Sequence, residues 1–135
     1  MSGFGFPASL RLKRTADFQR VYDDGRRSGD SHLLLFALAQ GGEQVRAGFS
    51  VSRKHGCAVR RNRRKRLLRE AFRLNRHQLP QGYDYVLVPR IREDVSLENY
   101  AKSLVSLARR LHRQFMAGSP SQASGADSGA AAGVP

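Results

Sequence analysis

Residues 45–76, VRAGFSVSRKHGCAVRRNRRKRLLREAFRLNR, change period halfway along. From Val45 to Ser52, the apolar Val45, Ala47, Phe49 and Val51 alternate with Arg46, Gly48, Ser50 and Ser52. A period of two is that of a strand with one buried face. Beyond Gly56 the period becomes helical. At 100° per residue, Leu67, Leu68, Ala71, Phe72 and Asn75 share one sector, and Asn62, Arg66, Arg69 and Arg73 share the opposite one. The spacing predicts a helix over Arg61 to Arg76 that buries a Leu/Phe stripe and turns an arginine stripe outward. Arg64 falls on the apolar side of this wheel and is expected to escape burial in the first turn, beyond the end of the core.

Working outward, Pro80 and Gly82 end that helix, and YDYVLV over Tyr83 to Val88 reads as a strand. Ser96 then caps a last helix with apolar Leu97, Tyr100, Ala101, Leu104, Leu107, Ala108, Leu111 and Phe115. Upstream, SHLLLFALA over Ser31 to Ala39 is a strand apolar on both faces. With Gly41-Gly42 as the turn, it is expected to pair with Val45 to Ser52 as a hairpin. Thr15 can cap a short helix to Asp24, stopped by Gly25, with Phe18, Val21 and Tyr22 on one face. The order of helix, hairpin, helix, strand and helix is that of an α+β fold with helices covering a small sheet. A strand, a helix and a strand in succession imply a parallel crossover, right-handed by default.

Charge narrows the function. The 135 residues carry 24 Lys plus Arg against 11 Asp plus Glu, a formal charge of +13. Residues 53–76 alone hold eleven bases, Arg53, Lys54, Arg60, Arg61, Arg63, Arg64, Lys65, Arg66, Arg69, Arg73 and Arg76, against the single acid Glu70. A merely solvated helix face mixes signs, because like charges at i, i+4 weaken a helix. Arginine also predominates, and its planar fork suits phosphates better than an ammonium does. Contact with nucleic-acid phosphates, favoured by counterion release, follows. Phe18, Tyr22 and Phe36 stay open at this point: they are core residues, or a partly exposed floor on which single-stranded bases stack.

Other classes find no support. No apolar run approaches the length of a membrane span. The opening MSGFGFP does not read as a secretory signal, and one cysteine, Cys57, suits a reducing compartment. The four histidines are scattered, without zinc-ligand spacing, and no catalytic grouping stands out. Residues 1–9 are expected to be a flexible segment and 10–116 one RNA-binding domain. The stretch from Ala117 to Pro135, with one charge, is expected to be a disordered tail.

The motif closely resembles the signature of the bacterial ribonuclease P protein component. The matching residues are Arg61-Asn62-Arg63, Lys65-Arg66 and Arg69-Glu70, approached by Ser50-Val51-Ser52-Arg53-Lys54 and Ala58-Val59. Leu12-Lys13-Arg14, Asp17-Phe18, Val21-Tyr22 and Gly25 fit too, so the resemblance covers about residues 10–116. It implies the order α-β-β-(β)-α-β-α with a left-handed βαβ crossover, and hence a strand beyond the two read before the Arg helix. It implies a cytoplasmic subunit, monomeric and one per RNA, that joins a large catalytic RNA to remove the 5′ leader of precursor tRNA. The RNA with Mg²⁺ carries the hydrolysis, and the protein holds no cofactor or metal of its own. By the same resemblance Arg53, Lys54, Arg61, Asn62, Arg63, Lys65, Arg66, Arg69 and Arg73 face the catalytic RNA. Phe18, Tyr22, Leu34 and Phe36 would line a cleft for the leader. A ribosomal-type structural RNA-binding protein is the alternative.

Overall fold

A computed structural model describes residues 10–117. The elements are α1 (Thr15–Asp24), β1 (Arg26–Gly29), β2 (Leu33–Ala39), β3 (Val45–Phe49), α2 (Ala58–Asn75), β4 (Tyr83–Pro89) and α3 (Leu97–Ala117). Short 3-10 turns follow β3 (Arg53–His55) and α2 (Arg76–Gln78). The fold is α+β, as expected, and the additional strand is β1. Its sequence, RRSG, holds no apolar residue and shows no periodicity to read. The expected segments 1–9 and 118–135 lie outside the described residues, and α3 runs to Ala117, one residue into the stretch assigned to the tail.

The four strands lie in the order β1-β2-β4-β3. The expected hairpin between β2 and β3 does not form. Instead β4 enters between them, antiparallel to β2 (Leu34 opposite Val88) and parallel to β3 (Phe49 opposite Leu87). Burial is the reason. All seven residues of Tyr83–Pro89 are buried, as suits a strand paired along both edges and covered by helices on both faces. The hairpin is made by β1 and β2. The parallel strand-helix-strand unit expected from the sequence is β3-α2-β4.

The register sorts side chains onto two faces. Leu33, Leu35, Ala37, Val45, Ala47, Tyr83, Tyr85 and Leu87 pack beneath α2 and α3, against Leu68, Ala71, Phe72, Tyr100, Leu104, Leu107 and Leu111. Leu34, Phe36, Val86 and Val88 point the other way, toward Leu12 and Val21, with Phe18, Tyr22 and Leu38 at the margin. Burying a Leu or Phe contributes about 1.5–3 kcal/mol, so the first, larger cluster dominates stability.

Two caps are as read and one is not. Gly25 closes α1, donating its N–H to the Val21 carbonyl at 2.9 Å, and the Ser96 hydroxyl accepts from the Asn99 amide at 3.1 Å. Thr15 is already the first helical residue. Arg14 holds the cap position and makes no side-chain cap bond.

Candidate nucleic-acid interface

The Arg-rich helix begins earlier than its apolar stripe announces, at Ala58 rather than Arg61. The loop geometry sets this start. Gly56 has φ +112, a conformation that strains any other residue. Arg61 Nε donates to its carbonyl at 3.2 Å. Cys57 occupies the cap position. The amides of Arg60 and Val59, directed at its exposed thiol, hold the pKa below the ordinary value.

Along α2 the wheel holds where charge meets water. Asn62, Arg63, Arg66 and Arg69 are exposed, as are Arg53 and Lys54 before the helix. Arg61, Lys65 and Arg73 are half-buried. Arg73 pairs with Glu70, the one acid of the helix, so its charge is partly spent within the protein. Leu68, Ala71 and Phe72 face inward as expected.

Arg64 overturns its expectation. It does not escape the core but is 4% exposed, one of the four buried polar residues among those described. The guanidinium donates to the Arg92 carbonyl at 2.6 Å and, more weakly, to the Arg60 carbonyl at 3.4 Å. The first turns of α2 are covered by the β4–α3 loop and by the start of α3, which the wheel of one helix does not reveal.

On the opposite face of the sheet, α1 lies over the second cluster. Phe18 packs onto Gly48, where even an added Cβ would meet ring atom Cζ at 2.6 Å. The Tyr22 and Phe36 rings meet edge to face, with centroids 4.8 Å apart. The four aromatic and aliphatic cleft residues therefore do come together, but not as an open floor. Leu34 and Phe36 are each 3% exposed, while Phe18 and Tyr22 are half-buried at the rim. Of the two alternatives left open by the sequence, Leu34 and Phe36 are core residues, covered by α1 and Leu12, and only Phe18 and Tyr22 remain partly exposed.

Where this face meets the loop after β3, a cavity of about 220 Å³ opens. Leu34, Val88, Pro89 and Ile91 supply its apolar lining; Ser52, Lys54, His55 and Arg90 supply the polar groups. His55 is buried, and burial followed by the charge of Arg64 depresses its pKa. Its ring donates to the Pro89 carbonyl through Nε2, since Nδ1 has no partner. Burial thus favours the neutral imidazole. Arg90, anchored through Nε to the Asp30 carbonyl at 3.0 Å, was not singled out by the sequence. Nor was Arg27, whose pairing with Phe36 puts both side chains on the cleft face. A basic residue just past an apolar strand was the available signal for Arg90; β1 gave none for Arg27.

The arrangement offers cations on an outer helix and, across the sheet, an apolar cavity rimmed by Lys54 and Arg90. Among the described residues no three His, Cys, Asp or Glu side chains gather where they could hold a metal ion. No described helix is long and apolar enough to cross a membrane.

Comparison with known proteins places this geometry. The Ribonuclease P family model matches residues 6–112. The ribonuclease P protein component of Pelotomaculum thermopropionicum is 41% identical over 100 residues, covering 73% of this chain and 89% of the relative. That of Desulfovibrio desulfuricans is 40% identical over 120 residues, covering 85% and 92%. Among solved structures, the RNase P protein from Thermotoga maritima superposes with a TM-score of 0.68 at 32% identity, over 74% of this chain and 96% of that one. The Staphylococcus aureus protein gives 0.66 at 29% identity, over 75% and 94%. The chain belongs to the ribonuclease P protein family.

Proposed function

We propose that this subunit grips the catalytic RNA through α2 and its approach, Arg53, Lys54, Arg61, Asn62, Arg63, Lys65, Arg66, Arg69 and Arg73. The 5′ leader of precursor tRNA lies on the opposite sheet face, along Phe18 and Tyr22 and into the cavity over Leu34 and Val88. The observation that carries this reading is the position of Lys54 and His55. They leave β3 at the sheet end where α2 begins and form a wall of the cavity. Bound RNA and bound leader would thus share one edge of the protein.

Each part has a physical role. Exposed guanidiniums displace counterions from phosphates, giving affinity without sequence preference. The rim rings supply flat faces for bases, and Lys54 and Arg90 match the phosphates between them. Phe36 and Leu34, being buried, support the rim rather than stack. Family membership ties the protein to tRNA processing. In this proposal the protein's residues bind and orient, and Mg²⁺ and the bond-breaking step belong to the RNA; no metal-holding group of His, Cys, Asp or Glu among the described residues competes for that role. One protein monomer per RNA completes the proposal.

Reconstitution tests it. This protein with the cognate catalytic RNA is expected to process precursor tRNA at Mg²⁺ concentrations where RNA alone is slow. Equal rates with and without protein would overturn the reading.

A further inference from the structure

Arg64 lacks the usual accompaniment of a buried cation. Among the described residues no carboxylate pairs with it; the guanidinium donates to two backbone carbonyls, and its Nε has no partner there. An uncompensated buried charge is costly, and an apolar side chain of similar size is often as stable or more so. Stability alone gives α2 no reason to carry an arginine there.

What the guanidinium holds is the β4–α3 loop. The Arg92 carbonyl receives the 2.6 Å bond, and next to it Glu93 pairs with exposed Arg60, one turn before Arg64, at 3.1 Å. The loop is also tied to the β1–β2 turn, where Arg92 donates to the Ser31 carbonyl at 3.3 Å and Arg90 to that of Asp30. The same loop begins with Arg90 and Ile91, which with Pro89, the last residue of β4, form a wall of the cavity. The opposite wall is the 3-10 turn that leads into α2. Arg64 therefore ties the RNA-facing helix to Arg92, the residue that directly follows the cavity wall.

We propose that Arg64 is a positioning residue that transmits the placement of α2 on the catalytic RNA to the cavity wall at residues 89–91, and so sets the preference for leader-bearing over mature tRNA. The proposal rests on the assignment of the cavity to the leader. Arg64 itself touches neither RNA nor leader. Its bond to Arg92 keeps Ile91 and Arg90 at a fixed distance from Lys54 when α2 is seated.

The test uses the reconstituted holoenzyme and two variants, Arg64→Met and Arg64→Lys. Three quantities are read: the melting temperature of the free protein, its affinity for the catalytic RNA, and the ratio of precursor to mature tRNA affinity. Arg64→Met is expected to fold and to bind the catalytic RNA within about twofold of wild type, because a buried side chain releases no phosphate counterion. Its precursor-to-mature ratio should fall at least about fivefold, the lower end of ordinary coupling between sites. Arg64→Lys keeps one donor for the Arg92 carbonyl but not the fork, and should give an intermediate ratio. Should Arg64→Met not fold, Arg64→Lys decides alone: an intermediate ratio supports the proposal and the wild-type ratio overturns it. An unchanged ratio in folded Arg64→Met, or equal losses for precursor and mature tRNA, also overturns it. A shallower salt dependence of RNA binding would overturn it too, by making Arg64 a phosphate contact. If wild-type holoenzyme does not distinguish precursor from mature tRNA at all, the leader assignment itself fails, and that result is visible before any variant is measured.

Discussion

Replacing Arg66 and Arg69 together by Ala removes two exposed cations from the middle of α2 without touching the Leu68 and Phe72 side chains beneath. The only acid of the helix, Glu70, is engaged with Arg73. Each phosphate contact contributes about 0.7 to 0.9 to the slope of log affinity against log salt. Losing two makes the slope shallower by about 1.4 to 1.8, so the affinity gap between wild type and variant narrows roughly tenfold between about 50 and 200 mM salt. The fold has no reason to suffer, since alanine is the better helix former and repulsion along the stripe is relieved. Titration of labelled catalytic RNA at several salt concentrations, beside a thermal melt, measures both. Normal affinity with an unchanged slope would refute the reasoning and leave the stripe as a solvated face. Arg73→Ala serves as an internal contrast: Glu70 already neutralises part of its charge, so its slope change should be smaller than that of Arg66→Ala.

Phe18→Leu keeps apolar volume on Gly48 but removes the flat ring; it should cost about 1 to 3 kcal/mol of precursor tRNA binding to the holoenzyme and leave mature tRNA binding unchanged. Equal losses for both ligands would return Phe18 to the core. The exposed Cys57 thiol, with its lowered pKa, should react readily with iodoacetamide in the free protein and slowly once catalytic RNA is bound. Undiminished labelling in the complex would place the RNA elsewhere. His55 has a folded pKa below its ordinary value of about 6.5, so its contribution to stability is intact above that pH and is lost as pH falls through the folded value. Melting temperature should therefore drop below about pH 6.5, and His55→Leu should flatten that limb. A pH dependence identical in the two proteins would show that the imidazole is accessible and freely protonated.

What could be read in advance depended on periodicity. The apolar faces of α2 and α3 repeat over several turns, and the middle of each stripe is buried, Leu68, Ala71 and Phe72 in α2 and Tyr100, Leu104, Leu107, Ala108 and Leu111 in α3, while Leu67, Asn75, Leu97, Ala101 and Phe115 are half-buried at the margins. The arginine stripe was legible for the same reason, and Asn62, Arg66 and Arg69 stand in water. Residues whose environment is set by a distant segment were not legible. Arg64 is buried by a loop some 28 positions away, and β1 exists because β2 offers it an edge, not because RRSG favours extension. The strand Leu33–Ala39 declared itself apolar on both faces without saying what covered each one. The strand pairing failed likewise, because two adjacent strand-like runs joined by Gly41-Gly42 suit a hairpin whenever nothing local forbids it.

That failed pairing bears directly on the cleft. Had β2 and β3 formed a hairpin, Leu34 would have stood one strand spacing, about 4.8 Å, from the strand that leads into Lys54. With β4 between them the separation is two spacings, about 10 Å, and Val88 fills the middle of the floor. The proposed leader site thus has an apolar base and the cations Lys54 and Arg90 along its walls, the combination that suits a single strand. The inserted strand also ends here, so Pro89 and Arg90 rise from the floor as the wall opposite the 3-10 turn. The cavity thus follows from strand order. Burial of both faces of Tyr83–Pro89 forces that strand to the centre, and its central place sets the width of the site.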